Sequence, residues 1–199
     1  MAYKPNEREY RAVAPFVIPD GSDGDALILR GTPIVFDTPT VICEYDGIEY
    51  KEIIARGALD DCDMSDFILN RNHGQNDSTV FARTRNNSLK YTISDRGLDI
   101  EAALDGEDER HRNLHRDVQK KRVDKMSFSF VVREAKYDNV THTRTITKVK
   151  KLYDVSAVDF PAYNDTSISA RSFFAEEHTR ELAALEQARR RKKLLALTY

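Results

Sequence analysis

Short segments rich in β-branched and aromatic residues recur along most of this chain, and each has the length of a β-strand. Turn residues separate them, in the stretches PDGSDGD, YDG, SDRG and PAYND. Many short strands at close spacing predict a mainly β fold, either a barrel or a sandwich. The predicted strands read ALILRGTPIVF, VICEYDGIEYKEII, DFILNRN, STVFARTR, LKYTIS, LDIEAAL, MSFSFVV, TRTITKVKKLYDV and SAVDF.

Two internal segments interrupt the strand pattern and favour helices. Residues 107–123 place Leu114 and Val118 one helical turn apart in a charged run. Acids come first in this run and bases last, which is the order that the helix dipole prefers, so a surface helix is predicted. Residues 55–66, ARGALDDCDMSD, favour a second and shorter helix before the next strand.

The carboxyl-terminal segment predicts a long amphipathic helix. Residues 176–199 contain no Gly or Pro, and they space Leu182, Leu185 and Ala188 along one helical stripe. The whole chain of 199 residues suffices for one ordinary domain. We therefore expect residues 1–175 to form the folded domain and residues 176–199 to form a helical arm.

Composition excludes several other classes of protein. No apolar run approaches the ~20 residues of a membrane helix. The start of the chain, MAYKPNEREYRAVAPF, lacks the apolar core of a secretory signal, so we expect a protein that stays in the cytoplasm where it is made. Cys43 and Cys62 have no CxxC partners, which predicts reduced thiols rather than a zinc site or a disulfide.

His73 is the first candidate for catalysis. In ILNRNHG it ends an apolar strand and precedes a polar loop. From such a position an imidazole projects into a cleft while its backbone is held. A strand-end histidine taken alone is usually a surface residue, so its role depends on the partners that the fold brings to it.

Ser127 is the candidate nucleophile. In MSFSF, strand alternation puts Met126, Phe128 and Phe130 on one face and leaves Ser127 and Ser129 on the other. Three apolar side chains in a core would give the serine the rigid support that a nucleophile needs. Most strand serines are structural, however, and a hydroxyl becomes an effective nucleophile only beside a base.

Asp154, in KKLYDVSAVDF, is the candidate third member of a catalytic set. A carboxylate among apolar strand residues must be paired or hydrogen-bonded. Asp154 would orient the imidazole and stabilise its cationic form, as the acid of a Ser/His/acid set does. The alternative is a partly exposed acid that pairs with Lys148, Lys150 or Lys151.

Other chemistries find less support in the sequence. The chain has no GxSxG elbow, no GxxxxGK[ST] and no GxGxxG, which argues against α/β hydrolases and nucleotide-binding classes. His111 and His115 lack an HExxH motif, and we interpret them as part of a solvated helical face. We expect neither a metal nor a cofactor.

Six segments in chain order carry a family resemblance: RGTPIVFDTPT, EIIARGALDD, ILNRNHG, GLDIEAALD, VDKMSFSFVV and LYDVSAVDFPAYNDTSI. Together they resemble the prohead protease family of tailed bacteriophages, whose fold is related to that of the herpesvirus assemblins. The resemblance covers residues 28–171. It implies a single-domain β-barrel of the assemblin and prohead protease type, followed here by the helical arm.

Carried over to this chain, the family's catalytic histidine falls on His73 and its serine on Ser127. The third member falls on Asp154, where the family often has Glu and the assemblins use a second His. Ser129 is a further departure, because the family commonly has Gly at that position.

The resemblance implies a serine endopeptidase that cleaves scaffold sequence, the extension of the major capsid protein and itself during prohead maturation. It would act inside the prohead in the host cytoplasm, and a dimer or higher oligomer is left open. One alternative is a noncatalytic capsid or scaffold module, which would leave His73 far from Ser127. Another is nucleic-acid binding through RRRKK at residues 189–193, but a single basic run on a helix is usually a solvated face.

Overall fold

A computed structural model describes residues 7–19, 27–75, 79–159 and 168–196. Ten β-strands and two α-helices lie among these residues, and neither helix is long and apolar enough to cross a membrane. The helices are α1 (Glu109–Gln119) and α2 (Ile168–Ala196). The strands are β1 (Arg8–Pro15), β2 (Leu27–Val35), β3 (Thr40–Tyr45), β4 (Ile48–Ile54), β5 (Ile68–Arg71), β6 (Ala82–Arg83), β7 (Leu89–Ile93), β8 (Gly97–Leu104), β9 (Lys125–Asp138) and β10 (Thr143–Val158).

The strands pair into two sheets. The larger sheet has the order β1-β9-β10-β4-β3, with β5 and β6 added beside β10, and the smaller sheet has the order β2-β8-β7. The long strand β10 organises the larger sheet. It runs antiparallel to β9, and it is parallel to β4 at residues 143–146 and to β5 at residues 154–157. A bridge between Val17 and Arg30 links the chain just after β1 to the smaller sheet.

Both sheets contribute to one apolar core, which includes Leu29 and Ile100 from the smaller sheet and Phe128 and Leu152 from the larger. The prediction of a mainly β single domain with a carboxyl-terminal helix is confirmed. The described strands pair as two sheets, and closure into a barrel stays a prediction. Strand β1 was not expected from the sequence.

Helix α1 lies within the predicted segment 107–123. The Asp108 carboxylate caps it by accepting a hydrogen bond from the Arg110 amide at 2.8 Å. The prediction that His111 and His115 face solvent is wrong, because both are buried. Residues three and four positions apart share a helix face, so the histidines follow the apolar residues into the interface. The buried stripe comprises His111, Leu114, His115 and Val118.

The short helix expected within residues 55–66 is absent from the described structure, which has consecutive turns at residues 56–61 instead. Gly57 adopts a left-handed backbone conformation with φ of +84°, which a right-handed helix does not accommodate. Ala58 and Leu59 are buried in the core and fasten this loop to the body.

Four charged side chains from β1, β4 and β10 are buried together: Glu9, Arg11, Glu52 and Arg144. Each arginine donates hydrogen bonds to both glutamates. Burial alone would raise the pKa of Glu9, but the two guanidinium groups outweigh it and hold that pKa below its usual value. Because buried charges are tolerated only when paired, this quartet fastens the first half of β1 to the sheet.

Helix α2 begins on the body and ends away from it. Ala170 and Phe174 are buried against Tyr50 of β4. Farther along, the Glu181 carboxylate accepts hydrogen bonds from the hydroxyls of Tyr50 at 2.9 Å and Tyr137 at 2.8 Å. Between Glu181 and Ala196, where the described part of α2 ends, the large apolar side chains are exposed: Leu182, Leu185, Leu194 and Leu195. The division of the chain at residue 175 stays a prediction.

Candidate active site

His73 lies in a tight turn that directly follows β5. Both Asn72 and His73 adopt left-handed backbone conformations, with φ of 48° and 57°, which residues other than glycine rarely do. The His73 amide donates a hydrogen bond to Ser156 Oγ at 3.0 Å, so β10 holds the turn in place. Backbone conformations of this kind are found most often at active sites, ligand-binding sites and switch regions.

Ser127 lies near the start of β9, an internal strand of the larger sheet. It lies between Ala12 of β1 and Ser156 of β10 in the strand register. The apolar neighbours Met126 and Phe128 are buried in the core, as the alternation predicted. The opposite face of β9 is buried too, since the turn that carries His73 lies over it.

The imidazole of His73 bridges the other two predicted site residues. Its Nε2 lies 2.7 Å from Ser127 Oγ, and its Nδ1 lies 2.7 Å from Asp154 Oδ1. An ionised carboxylate only accepts hydrogen bonds, so Nδ1 carries the proton and Nε2 accepts from the serine hydroxyl. This arrangement allows His73 to take the serine proton while Asp154 fixes the ring.

Asp154 is fully buried, and hydrogen bonds compensate its charge. Oδ1 accepts from Ser156 Oγ at 3.0 Å in addition to His73, and Oδ2 accepts from Ser129 and from the guanidinium of Arg8. Burial would raise the pKa of Asp154. The hydrogen bonds from His73 and Ser129 and the charge of Arg8 outweigh burial and hold the pKa below its usual value.

The alternative pairing of Asp154 with a neighbouring lysine is wrong. Lys151 Nζ instead lies 2.8 Å from Asp63 Oδ2, and Lys148 pairs with Glu134 at 3.6 Å. The lysines are on the exposed part of β10, whereas Asp154 has no exposed surface. The pairing of β10 with β9 has a register shift between Leu152 and Asp154, where β10 passes from the exposed lysines to the buried aspartate.

The two serines of MSFSF have different partners. Ser127 faces the imidazole, whereas Ser129 Oγ contacts Asp154 Oδ2 and accepts from Arg8 Nε at 2.9 Å. Ser129 is therefore placed to support the acid, and Ser127 is the serine placed for nucleophilic attack.

Access to the site is restricted in this conformation. Ser127 has no exposed surface, and the His73 side chain is 6% exposed. Tyr10 of β1 packs the edge of its ring on the imidazole, with 4.7 Å between ring centroids. A peptide therefore reaches Ser127 only after a neighbouring segment moves.

A family model of the caudovirus prohead serine proteases matches residues 17–181. The chain belongs to this family. The resemblance read from the six segments is thus confirmed, and this prohead serine protease is a hydrolase of bacteriophage capsid maturation. Its family implies phage capsid or scaffold proteins as substrates. No curated protein and no solved structure matches the chain.

The sequence reasoning missed the contribution of β1 to the site of this prohead protease. Arg8 contacts Asp154 and Tyr10 contacts His73, yet both Arg8 and Tyr10 precede the segment that the family model matches. The available signal was the short stretch EYRA, where charged residues alternate with Tyr and Ala as in a strand.

Proposed function

We propose that this prohead protease cleaves peptide bonds with Ser127 as nucleophile, His73 as general base and acid, and Asp154 as the orienting acid. One observation carries the proposal: a single imidazole lies 2.7 Å from both the serine hydroxyl and the buried carboxylate. Hydrogen bonds of this length are what proton transfer requires.

The proposed reaction has two stages. Ser127 Oγ attacks the carbonyl carbon of the scissile peptide and passes its proton to His73 Nε2. The imidazolium then donates this proton to the leaving amine as the C–N bond breaks, which leaves an acyl-enzyme on Ser127. Water enters, gives its proton to Nε2 and attacks the ester, and the same proton returns to Ser127 as the acid product leaves. Asp154 stays ionised and stabilises the imidazolium in both stages.

The proposed substrates are scaffold sequence, the extension of the major capsid protein and the protease itself, processed inside the prohead in the host cytoplasm. The membership in the prohead protease family supports these substrates. We also propose that the two sheets close as a barrel of the assemblin type and that the protease associates with copies of itself.

The direct test is to incubate the purified protease with its phage's capsid precursor. The wild type should produce a shortened capsid protein, and Ser127→Ala should produce none while keeping its melting temperature. Ser65→Ala is the matched control, because it removes an exposed hydroxyl outside the site. Cleavage by Ser127→Ala at the wild-type rate would contradict the proposal.

A noncatalytic capsid or scaffold module is the second candidate function. It requires no contact between the serine and the imidazole, whereas the observed Oγ to Nε2 distance is 2.7 Å. An inactive wild type that still co-assembles with capsid protein would favour this candidate over the protease.

A further inference from the structure

Arg8 reaches the catalytic acid from the amino-terminal strand. Its guanidinium donates to Asp154 Oδ2, and its Nε and Nη2 lie 2.9 and 2.7 Å from Ser129 Oγ. These contacts lie on the far side of the carboxylate from His73, which is bound by Oδ1. Arg8 therefore contacts neither Ser127 nor the imidazole through these hydrogen bonds, and it acts on the triad through Asp154.

Several contacts fix the position of Arg8. Its guanidinium carbon lies 4.7 Å from the ring centroid of Tyr153 and 5.5 Å from that of Tyr10. In the register of β1 and β9 it lies opposite Val131. The buried ion pairs of the next residue, Glu9, hold the backbone of β1 at this place. The arginine is thus built into the site rather than free to sample the surface.

The physical effect of this contact follows from the geometry of a carboxylate. A buried carboxylate that is bound at one oxygen only can rotate about its Cβ–Cγ bond and lose its alignment with the imidazole. Binding the second oxygen removes that freedom. A guanidinium also offsets the cost of keeping the carboxylate ionised without water, which supports the lowered pKa of Asp154.

We propose that Arg8 is a positioning residue of the catalytic triad: together with Ser129 it clamps Oδ2 of Asp154 so that Oδ1 stays aligned with His73 Nδ1. This inference rests on the proposed roles of Ser127, His73 and Asp154. It extends the proposed active site to β1, at a residue that precedes the segment matched by the family model.

The test compares Arg8→Ala, Arg8→Lys and the control Arg30→Ala in hydrolysis of a peptide substrate by the full-length chain. Arg30 forms an exposed ion pair with Glu101 on the smaller sheet and does not contact the triad. Arg8→Ala should lower kcat about 10- to 100-fold with little change in KM, because alignment is lost while the peptide is still bound. Arg8→Lys should retain more activity than Arg8→Ala, and Arg30→Ala should match the wild type.

Chemical rescue separates positioning from a purely structural role. The Arg8 side chain is 38% exposed, so the space that Arg8→Ala leaves is open to solvent. Methylguanidinium chloride at millimolar concentration should restore part of the kcat of Arg8→Ala, and sodium chloride at the same concentration should not. The rescue should be absent from the double variant Arg8→Ala/Asp154→Asn, which has the same space but lacks the carboxylate that the added cation binds.

Three results would overturn the inference. The kcat of Arg8→Ala could equal that of Arg30→Ala, or it could exceed that of the wild type. The third result is a lowered kcat that accompanies a lowered melting temperature and that methylguanidinium does not restore. Ser127→Ala, measured in parallel, separates the two proposals. If Ser127→Ala is inactive, any one of these three results overturns only the proposed role of Arg8. If Ser127→Ala is active, the proposed roles of Ser127, His73 and Asp154 are contradicted, and so is the role of Arg8 that rests on them.

Discussion

Ser129 hydrogen-bonds to Oδ2 of Asp154, on the side of the carboxylate away from His73. Ser127, two positions earlier on the same strand, hydrogen-bonds to His73 Nε2. One strand therefore carries both the proposed nucleophile and a second hydroxyl that contacts the proposed catalytic acid. The two serines were hard to tell apart in sequence because strand alternation puts them on one face.

The first prediction separates the two serines. Ser127→Ala should abolish cleavage, because it removes the covalent path. Ser129→Ala should keep measurable activity and lose roughly tenfold or more in kcat, because a hydrogen bond to a charged group contributes about 1.5–3 kcal/mol. Peptide hydrolysis assays with both variants provide the measurement. An inactive Ser129→Ala beside an active Ser127→Ala would move the nucleophile to Ser129.

The second prediction concerns the orienting acid. Asp154→Asn should keep its fold and a measurable remnant of activity, with kcat lowered by roughly 10⁴-fold, because the amide favours the wrong imidazole tautomer. Single-turnover measurements with wild type and variant would determine the ratio. Full activity of Asp154→Asn would show that another group holds the imidazole.

The third prediction follows from the lowered pKa of Asp154, whose ordinary value is 3.8. The folded protein binds fewer protons at this group than the unfolded chain does. The stabilisation that ionised Asp154 gives to the folded protein is therefore complete above the pKa of this group in the unfolded chain. It is lost as the pH falls through the lower pKa of Asp154 in the folded protein. Asp154→Asn has no such titration, so its deficit in urea midpoint relative to wild type should shrink between about pH 7 and about pH 3.

Asp95→Asn is the control for the third prediction, because the Asp95 side chain is 94% exposed. Its urea midpoint should follow that of the wild type across the same pH range. A deficit of Asp154→Asn that stays constant with pH would contradict the lowered pKa.

The sequence led to the candidate residues His73, Ser127 and Asp154 because each lies in a continuous segment with its own signal, and their catalytic roles stay a prediction. MSFSF, ILNRNHG and LYDVSAVDF combine strand patterns with a polar residue at a definite position. Their order along the chain carried the family resemblance that the match to residues 17–181 confirms.

The features that the sequence did not predict depend on contacts between distant residues. Arg8 and Ser129 are 121 positions apart, and only the pairing of β1 with β9 brings them together. The burial of His111 likewise follows from packing on Phe81, with 5.0 Å between ring centroids. Local periodicity describes one element at a time and does not report which surface covers it.

The fourth prediction concerns the buried charge quartet. Glu52→Gln removes the charge of one of the two carboxylates that Arg11 and Arg144 share in this quartet. Breaking a buried ion pair costs about 3–5 kcal/mol, so urea unfolding should show a loss of this size. The exposed pair of Arg30 and Glu101 is the control, and Glu101→Gln should cost about 1 kcal/mol or less. Equal losses in both variants would contradict the structural role of the quartet.

The last prediction concerns how much of α2 belongs to the body. Glu181 accepts from Tyr50 and Tyr137, and burial together with these hydrogen bonds raises the pKa of both phenols. His178 Nδ1 also lies 2.9 Å from the Tyr50 hydroxyl. These contacts favour an arm that starts after residue 181.

Two truncations test this boundary and the proposed use of the arm. The chain ending at Glu181 should fold and hydrolyse a short peptide like the full chain, because the docked part of α2 is intact. It should lose self-association or incorporation into proheads, because it lacks the four exposed leucines of α2 that would be buried in a partner. The chain ending at Ala175 should melt at a lower temperature, since the buried hydroxyl of Tyr50 loses Glu181 and His178. Equal melting temperatures for the two truncations would support a boundary between body and arm at residue 175. Normal incorporation of both truncations into proheads would show that the arm is not used for association.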